Sequence, residues 1–194
     1  MDAKLTKYYD LAKSRLSERR YIHSCNVAKA AVQLAEKYGV DSFKAELAGI
    51  LHDITKEECI ENQLQIMSSG GIILDDVYKN SAQLYHAVSG MVYCRDVLGI
   101  DDLDILNSIR YHTTGRAGMS MLEKIVFTAD FISEERDYED IDVMRAETEK
   151  SIEDGMLYGL SFVIPDIVKK GRAVHPDALA AYNELILNKL CERK

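Results

Sequence analysis

Four histidines and two aspartates occupy positions where ionisable side chains are uncommon. His23 stands on or near the apolar stripe of RRYIHSCNVAKAAVQLAEKYG, and the doublet His52-Asp53 ends the apolar run AELAGILHD. His86 lies within SAQLYHAVSGMVYCRDVLG, His112 closes DLDILNSIRYH, and Asp130 is set in IVFTADFI. A lone histidine on an apolar face is more often a hydrogen-bonded core residue than a ligand. A carboxylate between Phe127, Ala129, Phe131 and Ile132 is harder to accommodate, because buried aspartates need a partner. Asp53, following Ile50 and Leu51, poses the same problem. Helical bundles build metal sites by aiming such side chains inward from facing helices. With no thiolate among them, imidazole and carboxylate suit iron, manganese, cobalt, nickel, zinc or magnesium.

Five consecutive helices must carry these side chains. Ile22, Val27, Ala30, Ala31 and Leu34 recur at helical spacing after Ser17, and Gly39 is a suitable residue just past the end. Asp41 is placed to cap SFKAELAGILHDI. Thr55 and Glu58 read as a capping box opening a third helix that Gly70-Gly71 closes, and the run to Asn80 reads as loop with a short turn. A fourth helix is expected over SAQLYHAVSGMVYCRDVLG. Asp101 is expected to cap the fifth, with Asp104 at its third position. Ser120 and Glu123 form another capping box before MLEKIVFTADFIS. From about Asp140 one long amphipathic pattern runs on, interrupted near Pro165, and a final helix starts at Pro176, a residue suited to the first helical position. No segment alternates as a strand does. The expected fold is all-α, one domain over residues 1–194, with the metal-binding core at about 18–135 and C-terminal helices at about 140–190.

The chain has 194 residues, 47% apolar and 29% charged, with only two prolines and a net charge of −8. An acidic chain is a poor nucleic-acid scaffold, whose electrostatic footprint is basic. It can still take a polyanionic small molecule, because bound cations reverse the local field. The start MDAKLTKYYDLAKSRL lacks the apolar core of a signal peptide, and no apolar stretch approaches about 18 residues. A cytoplasmic protein without a membrane span is therefore expected. Cys25, Cys59, Cys94 and Cys191 show no C-x-x-C spacing and read as reduced thiols, Cys25 as core filler.

The order H … HD … H … H … D, with the doublet in LAGILHDITK, resembles the HD-domain superfamily of metal-dependent phosphohydrolases. RYIHSCNVAKAAVQLAEKYGVDSFKAELAGILHDITKE, LYHAVSGMVYCRDVLGI, RYHTTGRAGMSMLEKIVFTADFISEER and FVIPDIVKKGRAVHPDALAAYN carry the likeness further. They resemble the YqeK-type family of bacterial symmetrical diadenosine tetraphosphate hydrolases, over roughly residues 5–190. One departure stands out. The family's ADYIEP turn followed by an arginine is here ADFISEER, so Phe131 lacks the tyrosine hydroxyl, Ser133-Glu134-Glu135 replaces the proline-containing turn, and Arg136 keeps the basic position.

The resemblance implies that His23, His52, Asp53 and Asp130 hold a first divalent ion, iron above manganese, cobalt, nickel or magnesium. His86 and His112 would hold a second ion or, with one ion loaded, face the substrate phosphate. Asp53 would bridge two ions, and Asp53, His86 and His112 form the catalytic set. A water between two cations is deprotonated near neutral pH and can attack a phosphoryl group, so no serine or cysteine nucleophile is needed. Lys56 and Arg136 are phosphate-clamp candidates, and Lys56 reads equally well as a solvated lysine. Arg20, Arg116 and Arg172 are weaker clamp candidates that read by default as surface charge, Thr113-Thr114-Gly115 reads as a helix C-cap turn whose amides could also meet phosphate, and His175 reads as a helix-start residue without a metal role. A base would stack on Tyr85, Tyr111, Phe131 or Tyr21. The implied activity is cleavage of diadenosine tetraphosphate into two ADP. The rivals are an HD-type nucleotidase or nucleoside triphosphate phosphohydrolase, a non-catalytic nucleotide-sensing HD module, and a helical protein with satisfied core histidines. The apolar positions of the last helices serve either core or a homodimer contact.

Overall fold

A computed structural model describes residues 4–192. In chain order the helices are α1 (Thr6–Arg15), α2 (Glu18–Tyr38), α3 (Ser42–Leu51), α4 (Ile60–Ser69), the short α5 (Asp76–Lys79), a 3-10 turn (Ala82–Leu84), α6 (Tyr85–Asp96), α7 (Leu103–Tyr111), α8 (Met121–Ile132), α9 (Ile141–Lys150), α10 (Ile152–Lys169) and α11 (Pro176–Glu192). No strand occurs among the described residues. No described helix is long and apolar enough to cross a membrane.

The centre of the fold is α2 laid against α3 and α8, with α7 closing on α3 and α8. Val27, Ala31 and Leu34 of α2 meet Ala48 and Leu51 of α3, Ile109 of α7, and Ile125, Val126 and Ala129 of α8 in one buried cluster. Small residues set how closely α2 and α3 approach. A Cβ on Gly49 would stand 2.6 Å from Ala28 Cα, a separation that packed atoms do not tolerate. A second cluster of Met119, Phe127, Met156, Leu160, Ala181 and Leu185 fastens α10 and α11 to the far side of α8.

Helix ends follow local chemistry where the capping residue is free to cap. Gly39 takes the left-handed conformation at the end of α2, φ 69°. Asp41 Oδ1 accepts from the Phe43 and Lys44 amides. Ser120 and Glu123 complete the reciprocal capping box of α8. Three expectations need correction. The fifth helix is capped by Asp102, not Asp101, since Asp102 Oδ1 reaches the Asp104 and Ile105 amides. Thr55 caps nothing: its hydroxyl is buried and donates to the His86 carbonyl at 2.9 Å, and α4 begins at Ile60 after Cys59. The long C-terminal pattern breaks at Ser151 and not at Pro165. Ser151 is extended, caps α10 through the Asp154 amide, and turns the chain where Gly155 packs on Thr148. Pro165 lies inside α10, and Ser161, whose carbonyl loses its partner, is exposed to water there.

Candidate metal centre

His52 and His112 reach the same point by the same local device. Each follows the last residue of its helix, α3 or α7, and each turns Nδ1 onto a carbonyl three residues back: Gly49 O at 2.7 Å for His52 and Ile109 O at 2.7 Å for His112. A ring whose Nδ1–H is held by a carbonyl leaves Nε2 as a lone-pair donor with a fixed aim. His23 comes from the second turn of α2, and its Nδ1 is held by the Glu135 carboxylate. Glu135 is in turn braced by Ser133 Oγ at 2.7 Å and Asn26 Nδ2 at 2.7 Å.

Asp53 stands among the four rings. Its Oδ1 faces His86 Nε2 at 3.2 Å and His112 Nε2 at 3.6 Å. Its Oδ2 faces His52 Nε2 at 3.4 Å and His23 Nε2 at 3.9 Å, and accepts from Arg20 Nη1 at 2.9 Å. Asp130 Oδ1 lies 3.1 Å from His23 Nε2 and accepts from Arg136 Nη2, while Arg136 Nε donates to the Asp130 carbonyl at 2.8 Å. Lys56 Nζ sits 3.0 Å from His86 Nε2 and 3.8 Å from Asp53 Oδ1. All eight candidate site residues, His23, His52, Asp53, Lys56, His86, His112, Asp130 and Arg136, therefore come together.

The donor set fits a divalent ion. His23 Nε2, His52 Nε2 and Asp53 Oδ1 are buried without a hydrogen-bond partner, a costly state unless something else takes their lone pairs. The ligand atoms of His23, His52 and Asp130 lie within 4.8 Å of one another, and those of His52, Asp53 and His112 do likewise. The electrostatics agree. Burial pushes the Asp53 carboxyl up, but the His52, His112 and His86 imidazoles outweigh it and hold the group well below the usual carboxylate range. Burial also opposes ionisation of Asp130, and His23, His52 and Arg136 overcome it. Burial holds His86 well below the ordinary imidazole value, against the pull of Asp53 and with Lys56 reinforcing it, so the ring stays neutral and able to ligate.

Arg20, Glu135 and Thr55 belong to the site and were not legible as such. Arg20 reads as surface charge in the sequence, yet it pairs with Asp53, and its place three residues before His23 on one helix face was the available signal. Arg116 instead pairs with buried Glu123 away from the cluster, and Arg172 is exposed. His175 accepts from the Asp177 amide at the start of α11, as expected, and packs on Tyr78. Of the proposed stacking residues, Tyr85 is buried with Tyr78 and Val88, Tyr111 lies beneath Arg110 and Arg116, and Tyr21 packs on the central core. Phe131 alone borders the site, in a cavity it shares with Asp130 and Arg136. A cleft of about 570 Å³ opens beside the cluster, lined by Arg19, Arg20, His23, Glu135, Arg136 and Tyr138 among others.

An all-helical bundle whose facing helices aim buried imidazoles and carboxylates at one another beside an arginine-lined cleft is the build of a metal-dependent hydrolase. The chain belongs to the HD domain family, whose profile matches residues 20–153. It is 38% identical to the symmetrical bis(5'-nucleosyl)-tetraphosphatase of Halalkalibacterium halodurans over 181 residues, 93% of this chain and 96% of that one. It is 36% identical to the protein of the same name from Bacillus subtilis over 177 residues, 90% of this chain and 93% of that one. The crystal structure of a Clostridium acetobutylicum protein described as a predicted HD superfamily hydrolase involved in NAD metabolism superimposes with a TM-score of 0.91 at 35% identity, covering 97% of both chains.

Proposed function

We propose that this chain hydrolyses diadenosine tetraphosphate symmetrically, adding one water across the bond between the second and third phosphates to release two ADP. The observation that carries the reading is Asp53, a buried carboxylate whose two oxygens face two different pairs of imidazole Nε2 atoms. The high identity to two tetraphosphatases over nearly their whole length supports the substrate. His23, His52, Asp53 and Asp130 would hold one divalent ion, with His86 and His112 holding a second or facing the phosphate. Bound there, the ion supplies positive charge to the phosphoryl oxygens and acidifies a water.

The chain's own groups do the rest. Gly49, Ile109 and Glu135 hold three imidazoles in the ligating tautomer. Arg20, Lys56 and Arg136 supply fixed cations around two carboxylates that carry negative charge at neutral pH, and Arg136 and Lys56 are the groups assigned to grip phosphate. Arg136 binds Asp130 through one carboxylate contact, from Nη2, and one main-chain contact, from Nε, so gripping phosphate means sharing that guanidinium.

Iron is the ion proposed, and the thiolate-free donor set supports it alongside manganese, cobalt, nickel and magnesium. Four free thiols accord with a cytoplasmic site of action. Exposed Leu179, Leu187 and Leu190 of α11 support a homodimer, which sedimentation would read directly. One domain over residues 1–194 is the organisation we assign, with α10 and α11 completing the wall behind α8.

The test is product analysis in isotopically labelled water, under anaerobic ferrous iron and separately manganese. ADP is expected as the only nucleotide product, with one labelled oxygen per substrate cleaved, on the terminal phosphate of one of the two ADP. Equal amounts of AMP and ATP would overturn symmetrical cleavage. Preference for mononucleotides would move the enzyme to the nucleotidase rival.

A further inference from the structure

The chain leaves α8 through Ser133-Glu134-Glu135-Arg136-Asp137, with neither a glycine nor a proline to fix the turn. Two residues of this turn reach the metal centre, Glu135 at His23 and Arg136 at Asp130. The last carbonyls of a helix have no partner within it and must find donors elsewhere. Here side chains supply them in order along the chain. Arg136 Nε donates to Asp130 O at 2.8 Å, and Tyr138 Oη to Phe131 O at 3.1 Å. Arg145 reaches back from α9 for the next two: its Nε donates to Ile132 O at 3.4 Å and its Nη2 to Ser133 O at 3.1 Å, with a longer contact from Nη2 to Arg136 O at 3.5 Å.

α9 gives Arg145 a fixed base that owes nothing to the turn. Met144 and Thr148, beside it on the helix, are buried. Gly155 of α10 packs so closely on α9 that an added Cβ would stand 3.0 Å from Thr148 Cα. The acidic neighbour of the guanidinium, Asp142, lies 3.8 Å from Nη1 and is almost fully in water, so it competes weakly for the donors. The turn's ion pair with α2, Lys29 to Glu134, is exposed at both ends and holds it loosely.

We propose that Arg145 is a positioning residue for the metal centre. Ser133 O and Arg136 O bracket Glu134 and Glu135, so one planar guanidinium that holds both carbonyls sets where the Glu135 carboxylate meets His23. A guanidinium presents its donors at fixed angles, which a lysine ammonium does not. Arg145 acts through the main chain of the turn and not on the ligands themselves. The proposal rests on the role given above to His23 as a ligand, and adds the residue that holds its brace in place.

The experiment is calorimetric titration of manganese into metal-free wild type, Arg145→Ala, Arg145→Lys, Glu135→Ala and the double variant Arg145→Ala/Glu135→Ala. Arg145→Ala is expected to weaken manganese about tenfold. Arg145→Lys, which keeps the charge and loses the planar fork, is expected to lose at least about threefold. The double variant is expected to bind within about twofold of Glu135→Ala alone, because the loss travels through Glu135. Wild-type affinity in Arg145→Ala would overturn the proposal, as would full affinity in Arg145→Lys. Losses that multiply in the double variant would show that Arg145 acts on stability alone, and would overturn it too. If Arg145→Ala fails to fold by circular dichroism, the same cycle run with Arg145→Lys decides the question. Wild-type protein that binds no manganese would instead overturn the metal-centre reading, and the proposal with it.

Discussion

Asp53 and Glu135 both act on His23, in different ways. Asp53 offers oxygens to both pairs of rings, so Asp53→Asn removes a charge and a strong ligand while keeping the side-chain shape. Turnover is expected to fall by a factor on the order of a hundred or more. Metal content should fall with it, while the helical circular dichroism stays. A variant that retains most activity with unchanged metal content would end the bridging role. Glu135 touches no other candidate ligand than His23, through Nδ1. Glu135→Ala frees that ring to turn, and metal affinity is expected to drop about 10- to 100-fold. The melting temperature of the metal-free protein should barely move, because Glu135 is at the rim and not in the core. Equal metal affinity in titrations of the variant and wild type would show that Asn26 and Ser133, not the metal centre, are the reason for its position.

Among the helices, the contact between α2 and α3 leaves no room for a Cβ at Gly49. It carries His23 on one side and the His52-Asp53 doublet at the end of the other, so their separation sets the reach between ligands. Gly49→Ala would bring Cβ to 2.6 Å from Ala28 Cα, where backbone and not a flexible side chain must yield. The expected cost is about 1–3 kcal/mol of stability. The same residue's carbonyl orients His52, so displaced helices should weaken metal binding as well as melting. Calorimetric melting with metal titration checks both, and a variant that melts and binds like wild type would show that α3 can shift without disturbing the centre.

For the molecule as a whole, the centre is a concentration of unsatisfied donors in an acidic protein. Anything that binds these groups only when folded stabilises the fold by mass action, about 4 kcal/mol at a thousandfold excess over Kd. For a chain of 194 residues that corresponds to roughly 10 °C in melting temperature. Scanning calorimetry with and without manganese reads the shift, and a chelator should reverse it. No upward shift at saturating metal would contradict a preformed site made by His23, His52, Asp53 and Asp130.

The helical architecture, most helix ends and the candidate histidines and aspartates are readable along the chain. Each of these is written in residues a few positions apart. An aspartate inside IVFTADFI announces a buried charge, and Gly39, Asp41, Ser120 and Pro176 mark ends through their own backbone chemistry. The limit of such reading shows in two similar motifs. Ser120-x-x-Glu123 caps its helix because the Ser120 hydroxyl, which donates to Asp104, keeps a lone pair to accept the Glu123 amide. Thr55-x-x-Glu58 does not, because packing buries Thr55 against α6, where the His86 carbonyl and Ser89 take its hydroxyl. The tertiary structure decided the partners of the ligands. Arg20 meets Asp53 across 33 residues, Lys56 meets His86 across 30, and Glu135 meets His23 across 112. Only Arg20 carries a local sign of its meeting, three residues before His23 on one face of α2. The meetings arise because α2, α3, α6, α7 and α8 bury their apolar faces together and bring the polar ends of distant segments to one point.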